Sequence, residues 1–246
     1  MKILVCISHV PDTTAKISFV DDNKIYNKEG QQFIIGPNEE LALTRAINIK
    51  EANGGSITAL TVGLTETEPT LRKALAMGAD DAIRVNAEPK DAYNVATQIA
   101  EVVKNNNFDV VITGRESIDY NGGQVGEMVA EILNIPSVSG VNDLELEENK
   151  AILQREIDGG FEKIECAFPL VLSGQKGIAA EPKIPAMRGI MMARRKPLNV
   201  VEPIDFSDAT EVLEHNLPDA KAACTMVDAE DMSELVRLLH EEAKVI

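Results

Sequence analysis

Residues Val110 to Leu133 read VVITGRESIDYNGGQVGEMVAEIL, and this stretch decides the fold. Val110 to Thr113 is a short β-branched run of the kind that forms a strand buried in a parallel sheet. Gly114 to Gly126 then places four glycines among polar residues, and Val125 to Leu133 resumes the 3.6-residue apolar spacing of a helix. Glycines just ahead of a helix let backbone N–H groups face an anion, and the helix dipole favours negative charge there. An ordinary strand-to-helix loop has the same pattern, and this stretch alone leaves both readings open. Neither a GxGxxG nor a GxxxxGKS fingerprint is present, which argues against a standard dinucleotide fold and a P-loop ATPase.

Outward from this stretch the same alternation repeats. Ile3 to Ile7 reads as a buried strand, followed by a hairpin arm whose flanks, Lys16 to Val20 and Lys24 to Tyr26, enclose Asp21-Asp22-Asn23. Pro37 opens a helix with Glu39 and Glu40 in its first turn, where carboxylates complement the dipole. Strands are expected at Ser56 to Val62, Asp81 to Val85 and Asp109 to Thr113, with helices at Glu66 to Met77 and Ala92 to Lys104. The β-α-β-α-β-α-β-α order predicts a mostly parallel sheet with helices on both faces, a Rossmann-like three-layer α/β fold.

Beyond Leu133 the period changes. Asp143 to Glu148 and Ala151 to Glu156 read as an antiparallel hairpin, and Lys163 to Cys166 and Phe168 to Ser173 as two more strands of the same kind. Gly174 to Pro197 has little core pattern, and Pro182, Pro185 and Pro197 interrupt it. From Asn199 the chain reads as extended and acidic, closing on a weakly amphipathic helix over Ser233 to Val245. The expected division is a nucleotide-binding α/β domain over 1–198 and a C-terminal acidic extension over 199–246, which either closes on its own weak helix or packs across a partner subunit.

Composition narrows the function. The formal net charge of −16 opposes a general nucleic-acid-binding role, since phosphate binding needs a positive footprint. Arg188 to Lys196 departs from this, with four basic residues and no acidic one. Three dispersed cysteines fit a reducing, cytoplasmic setting and give no zinc or iron–sulfur pattern. No apolar run approaches the ~18 residues of a membrane span, and no signal peptide is expected before the first strand. The three histidines are not clustered, so no metal site is expected. No GxSxG elbow or other catalytic constellation stands out, so no catalytic residue is assigned.

In a parallel sheet, ligands bind beyond the C-terminal ends of the strands. Ser8-His9-Val10-Pro11-Asp12, Val62-Gly63-Leu64 and Gly114 to Gly126 all follow strands and together suit one nucleotide. Gly122 to Gly126 offers main-chain donors to a phosphate, and the backbone of Ser8 or Val62 meets a base edge. His9 either faces this ligand or ends a strand.

Six ordered blocks carry a resemblance. They are Val5-Cys6-Ile7 with Val10-Pro11-Asp12-Thr13, Pro37 to Leu43, Leu71 to Asp80, Gly114 to Gly126, Arg155 to Gly160, and Glu181-Pro182-Lys183 with Ile190 to Pro197. In these the chain resembles the beta (small) subunit of electron transfer flavoprotein. The resemblance implies pairing with an alpha subunit that holds most of an FAD. It implies electron flow from acyl-CoA dehydrogenases, as in fatty acid beta-oxidation, to a quinone oxidoreductase, and a structural AMP in this subunit. Carried over to the nucleotide are Ser8, His9, Asn38, Val62, Gly114, Gly123, Gln124, Val125 and Gly126. A partner-docking loop falls at Ile178, Ala179 and Glu181, with Ile178 standing where the family has an anchoring leucine.

Common members have aromatic residues near the flavin at the positions of Thr13 and Asn38, so this wall is expected to be more polar or differently lined. Electron-bifurcating relatives suggest an alternative, with a second FAD in place of AMP and NADH as donor. A nucleotide-binding regulator of universal-stress type shares the topology of the first 140 residues, but leaves Ala193-Arg194-Arg195-Lys196 unexplained.

Overall fold

The computed structural model of the chain describes residues 1–206, 208–221 and 223–246. In chain order the first elements are β1 (Lys2–Cys6), β2 (His9–Pro11), β3 (Phe19–Val20), β4 (Ile25–Tyr26), β5 (Phe33–Ile35) and α1 (Pro37–Asn53). Next come β6 (Ser56–Val62), α2 (Glu68–Met77), β7 (Asp81–Val85), α3 (Ala92–Lys104), β8 (Val110–Gly114) and α4 (Val125–Leu133). The remainder is β9 (Ser137–Leu146), β10 (Lys150–Ile157), β11 (Gly160–Ala167), β12 (Leu170–Gly174), α5 (Met187–Ala193), β13 (Leu198–Val201) and α6 (Met232–Arg237).

Two compact units are present. The larger comprises Met1–Ile17 and Asn27–Leu213, and the smaller Ser18–Tyr26 and Glu214–Ile246. The larger is built on a nine-stranded sheet of order β11-β10-β9-β12-β8-β1-β6-β7-β13. Strands β9, β12, β8, β1, β6, β7 and β13 run parallel, and β9-β10-β11 adds an antiparallel ribbon. This is the expected α/β fold with its hairpin.

Strand alternation builds two aliphatic cores. Ile3, Val5, Ile57, Val110 and Ile112 point to the face covered by α1 and α2, through Leu43, Leu71 and Leu75. Leu4, Cys6, Leu60 and Val111 point to the other, against Ile99 and Val103 of α3 and Val129 of α4. Because both faces are covered, these strands carry the nearly continuous apolar runs visible in the sequence.

Local signals set the helix ends. Pro37 occupies the first turn of α1, Asp91 caps α3 by accepting from the Asn94 N–H at 2.7 Å, and α4 closes on Asn134 with φ of 53°.

Three readings change. Phe168 to Ser173 is no hairpin strand, since β12 lies parallel between β8 and β9. All five residues of β12 are buried, as an unalternating Leu-Val-Leu run requires. Gly174 to Pro197 contains α5, whose Gly189 approaches the backbone carbonyl of Ala76 too closely to admit a side chain. Leu198–Val201 is a strand, pairing in parallel with Ala82 to Val85.

The basic run also divides. Arg188, Arg194 and Arg195 are exposed, whereas Lys196 is half-buried and donates to the carbonyls of Leu75 at 2.9 Å and Ala79 at 2.5 Å. It thereby closes the C-terminal end of α2.

In the smaller unit β3 and β4 pair antiparallel across Asp21, Asp22 and Asn23, all left-handed with φ of 52°, 55° and 63°. His215 stacks on Phe19 at 4.8 Å and donates its backbone N–H to the Asn23 carbonyl at 2.7 Å. No helix among the described residues is long and apolar enough to cross a membrane.

Candidate functional site

From β1 the chain proceeds through β6 and β7 on one side, then returns to build β8, β12 and β9 on the other. The order reverses between β1 and β8, and a doubly wound sheet opens its ligand crevice beyond the C-terminal ends of such a pair. Three segments meet there: Ser8 after β1, the Gly36–Glu39 entry to α1, and the loop from Gly114 to Gly126.

Glu39 occupies the middle of this junction. It is 5% exposed, and its Oε1 accepts a hydrogen bond from the Ser8 hydroxyl at 2.5 Å. Its Oε2 is buried without a partner. Two glycines make room for the carboxyl. A Cβ on Gly114 would fall 2.6 Å from Glu39 Cδ, and one on Gly36 would fall 2.5 Å from Ser8 Oγ and collide with Glu39 Oε2. Burial pushes the Glu39 carboxyl up to about 7, against the hydrogen bonds from Ser8 and its own amide, and Asp119 raises it further. Cys6, buried nearby on β1, is pushed up to about 12 by burial first and by Glu39 second.

The glycine loop returns to the same point. Gly123 is left-handed, with φ of 56°, and its α-carbon faces the Arg115 carbonyl across the loop. Gln124 precedes α4 without a side-chain cap, so the first N–H groups of the helix, those of Val125 and Gly126 included, lack helical partners. Gly123 and Gln124 are exposed, Val125 is half-buried and Gly126 is buried. A neutral array of this kind holds an anion without a lysine. Beneath Gly126, where a Cβ would lie 2.8 Å from Thr113 Oγ1, the threonine hydroxyl is buried and has no partner.

Asn38 braces the loop, its Nδ2 donating to the Glu116 carbonyl at 3.2 Å. Val62 ends β6, buried, immediately before the Gly63 turn. His9 belongs to a neighbouring cavity instead of the carboxyl cluster. Its ring lies parallel to Phe33 at 4.4 Å, and Nδ1 is 2.7 Å from Thr70 Oγ1. Burial holds this imidazole below its ordinary value, with Glu66 opposing. With Phe33, Ile35, Glu66 and Thr70 it lines a cavity of about 400 Å³. Of the three docking candidates, Ile178 and Ala179 are 2% and 7% exposed, and Glu181 faces solvent. The Ile178 side chain packs over Gly174 at the end of β12.

Sequence reading missed Glu39, Gly36 and Thr113. Glu39 reads there only as a dipole-complementing acid in the first turn of α1. No group of three His, Cys, Asp or Glu residues poised for a metal ion occurs among the described residues.

The family model "Electron transfer flavoprotein domain" matches residues 24–206. The chain is similar to the electron transfer flavoprotein subunit beta of Bacillus subtilis, 38% identical over all of both chains. It is 30% identical to subunit CarD of the caffeyl-CoA reductase-Etf complex of Acetobacterium woodii, over 99% of this chain and 98% of that one. It is 28% identical to the human electron transfer flavoprotein subunit beta, over 100% of this chain and 99% of that one.

Proposed function

Because this chain belongs to the electron transfer flavoprotein beta-subunit family, with a general role in electron transfer to flavoenzyme partners, we propose that it is the small half of a heterodimer with an alpha subunit. In this reading the alpha subunit holds most of an FAD, and this chain carries an AMP in the crevice between β1 and β8. Electrons come from acyl-CoA dehydrogenases or related flavoenzymes and leave to a quinone oxidoreductase, with the complex in the cytoplasm.

The observation that carries the reading is the crevice itself. It combines uncapped helix N–H groups, two buried polar atoms without partners, and glycines whose missing side chains keep it open. Those features fit an adenine nucleotide. The amides of Gly123 to Gly126 would hold its phosphate, Val62 and the Ser8 backbone would border the base, and Asn38 would keep the loop in register through Glu116. The bound flavin supplies the redox chemistry. This chain contributes a wall, a structural nucleotide and a docking segment around Ile178, Ala179 and Glu181, in which the buried Ile178 and Ala179 pin the loop and Glu181 is presented.

Co-expression with an alpha subunit tests this. The expected product is a yellow 1:1 complex that yields one FAD and one AMP on extraction. A chain that stays colourless and binds no alpha subunit would overturn the proposal. A second reading, NADH-dependent bifurcation with a second FAD in the crevice, is favoured by one feature. Gly122 is exposed and borders open space, so this part of the loop offers a longer ligand no side-chain obstacle. Two FAD and no AMP per heterodimer would select it.

A further inference from the structure

We infer that Asp91 is a positioning residue for assembly of the heterodimer. One oxygen of its carboxylate caps α3, and the other buckles the segment after β13 onto the same helix end. The part of the acidic extension left for a partner then begins beyond Thr210. This rests on the heterodimer reading above and goes beyond it, by naming the group that sets where the extension departs.

The segment that follows β13, described over residues 202–206 and 208–210, has no regular structure, yet it is strapped to the N-terminal half of α3. Gln98 is buried, and its amide answers both backbone groups of Ile204: Nε2 donates to the carbonyl at 2.9 Å and Oε1 accepts from the N–H at 3.0 Å. Phe206 meets Tyr93 edge-on, with ring centroids 5.1 Å apart. Lys90 pairs with Asp208 at 2.5 Å, but an ion pair at the surface holds little by itself. Asp91 closes the strap. Its Oδ1 accepts from the Asn94 N–H at 2.7 Å. Its Oδ2 accepts from the N–H groups of Ala209 at 3.0 Å and Thr210 at 3.1 Å, and from the Thr210 hydroxyl at 3.3 Å.

The residue type matters here. Capping α3 needs one side-chain acceptor, which Ser, Thr or Asn supplies as well as Asp. Only a carboxylate brings a second acceptor oxygen to the same place. Two successive N–H groups converging on one ionised oxygen are the means by which backbone grips an anion, and bonds of this kind are stronger than neutral ones. The helix end favours the same negative charge. Asp91 therefore joins segments 118 residues apart while still serving its own helix.

Beyond Thr210 the character of the chain changes. Phe206 is half-buried against Tyr93, whereas Leu213, Leu217 and Met226 are exposed. The strap thus ends where large apolar side chains remain for the alpha subunit to cover. Fixing the preceding segment in advance reduces the conformational freedom that the extension loses on binding.

The test is hydrogen exchange of the full chain, read at single amides, with Asp91→Ser as the separating variant. In the natural chain the Ala209 and Thr210 amides are expected to exchange at least about ten-fold more slowly than exposed amides after Leu213. Serine keeps a cap, so the Asn94 amide and the thermal midpoint are expected to hold, while protection at 209 and 210 falls about ten-fold. Asp91→Ala is expected to lose both. Titration with the alpha subunit is expected to show about ten-fold weaker assembly for Asp91→Ser.

A role confined to capping would let serine rescue everything, and that result would overturn the inference. Fast exchange at Ala209 and Thr210 in the natural chain would also overturn it, whether or not the variants fold. A freed strap with unchanged affinity would remove the role in assembly. Failure of the natural chain to bind an alpha subunit would instead overturn the heterodimer reading, and exchange in the free chain would still decide the strap.

Discussion

Arg84 on β7 holds Glu68 at the head of α2, with guanidinium Nε 3.2 Å from carboxylate Oε1. The same guanidinium is 5% exposed and donates through Nη1 to the Gly63 carbonyl at 3.0 Å and to Asn86 Oδ1 at 2.8 Å. It therefore fixes the turn that follows Val62. Removing it strands a buried carbonyl, while Glu68 retains partial access to water. Arg84→Leu is expected to destabilise by about 2–4 kcal/mol and Glu68→Gln by less than about 1 kcal/mol. Equilibrium denaturation of both variants measures the difference, and equal losses would show that the ion pair alone matters.

Glycines 114 and 122 lie in the same loop and are predicted to behave oppositely. Gly114→Ala drives a methyl into Glu39, at a cost of about 1–3 kcal/mol, and should lower nucleotide occupancy. Gly122 borders open space without left-handed backbone, so Gly122→Ala is expected to stay within about 0.5 kcal/mol. Nucleotide content after purification, together with thermal unfolding, separates the two.

Glu39 also makes stability depend on pH. Its value rises from 4.5 in the unfolded reference to about 7 in the fold, so the native state binds the proton more tightly. The corresponding stabilisation is fully present below pH 4.5 and is lost as pH rises through about 7. The loss is on the order of 2–3 kcal/mol in nucleotide-free protein. Denaturation midpoints at pH 5 and pH 8 should reveal it. Glu39→Gln should flatten the difference, and an unchanged slope in that variant would assign the effect elsewhere.

The basic run provides a further contrast. Lys196 closes α2, and burial holds its ammonium below the ordinary lysine value. Lys196→Met, which keeps the aliphatic stem, is expected to cost about 1–2 kcal/mol through the stranded carbonyls. Arg194→Ala and Arg195→Ala remove exposed side chains and should each change stability by no more than about 0.5 kcal/mol. If those arginines serve a partner, their loss shows in complex formation with the fold intact.

Much of the architecture was legible because it is written in local period. Apolar runs named β1, β6 and β8, and Pro37 and the glycine loop marked where helices begin. Strand β12 was misread because it follows closely on β11, as a hairpin partner would, while its actual neighbours β8 and β9 lie far back in sequence. The β2–β5 ribbon escaped notice because three-residue strands are too short for alternation to register. The glycine loop was visible for the same local reason as the helices. Glu39 was not, since its position depends on residues 8, 36 and 114, which only the sheet brings together. Lys196 likewise reads only as one member of a basic run until the end of α2 is placed beside it.

Strand β13 seals the side of the sheet that β7 would otherwise leave open. The ribosome delivers it long after β7, and only after the whole hairpin region has emerged. Until then the outer edge of Ala82 to Val85, paired only with β6, is a template beside the Gly63 turn, open to pairing with any passing chain. Vectorial synthesis thus leaves this half of the sheet unfinished until its final crossing strand arrives. A nascent chain stalled before Leu198 would be a target for chaperones, and completion of the edge would mark the moment of safe release.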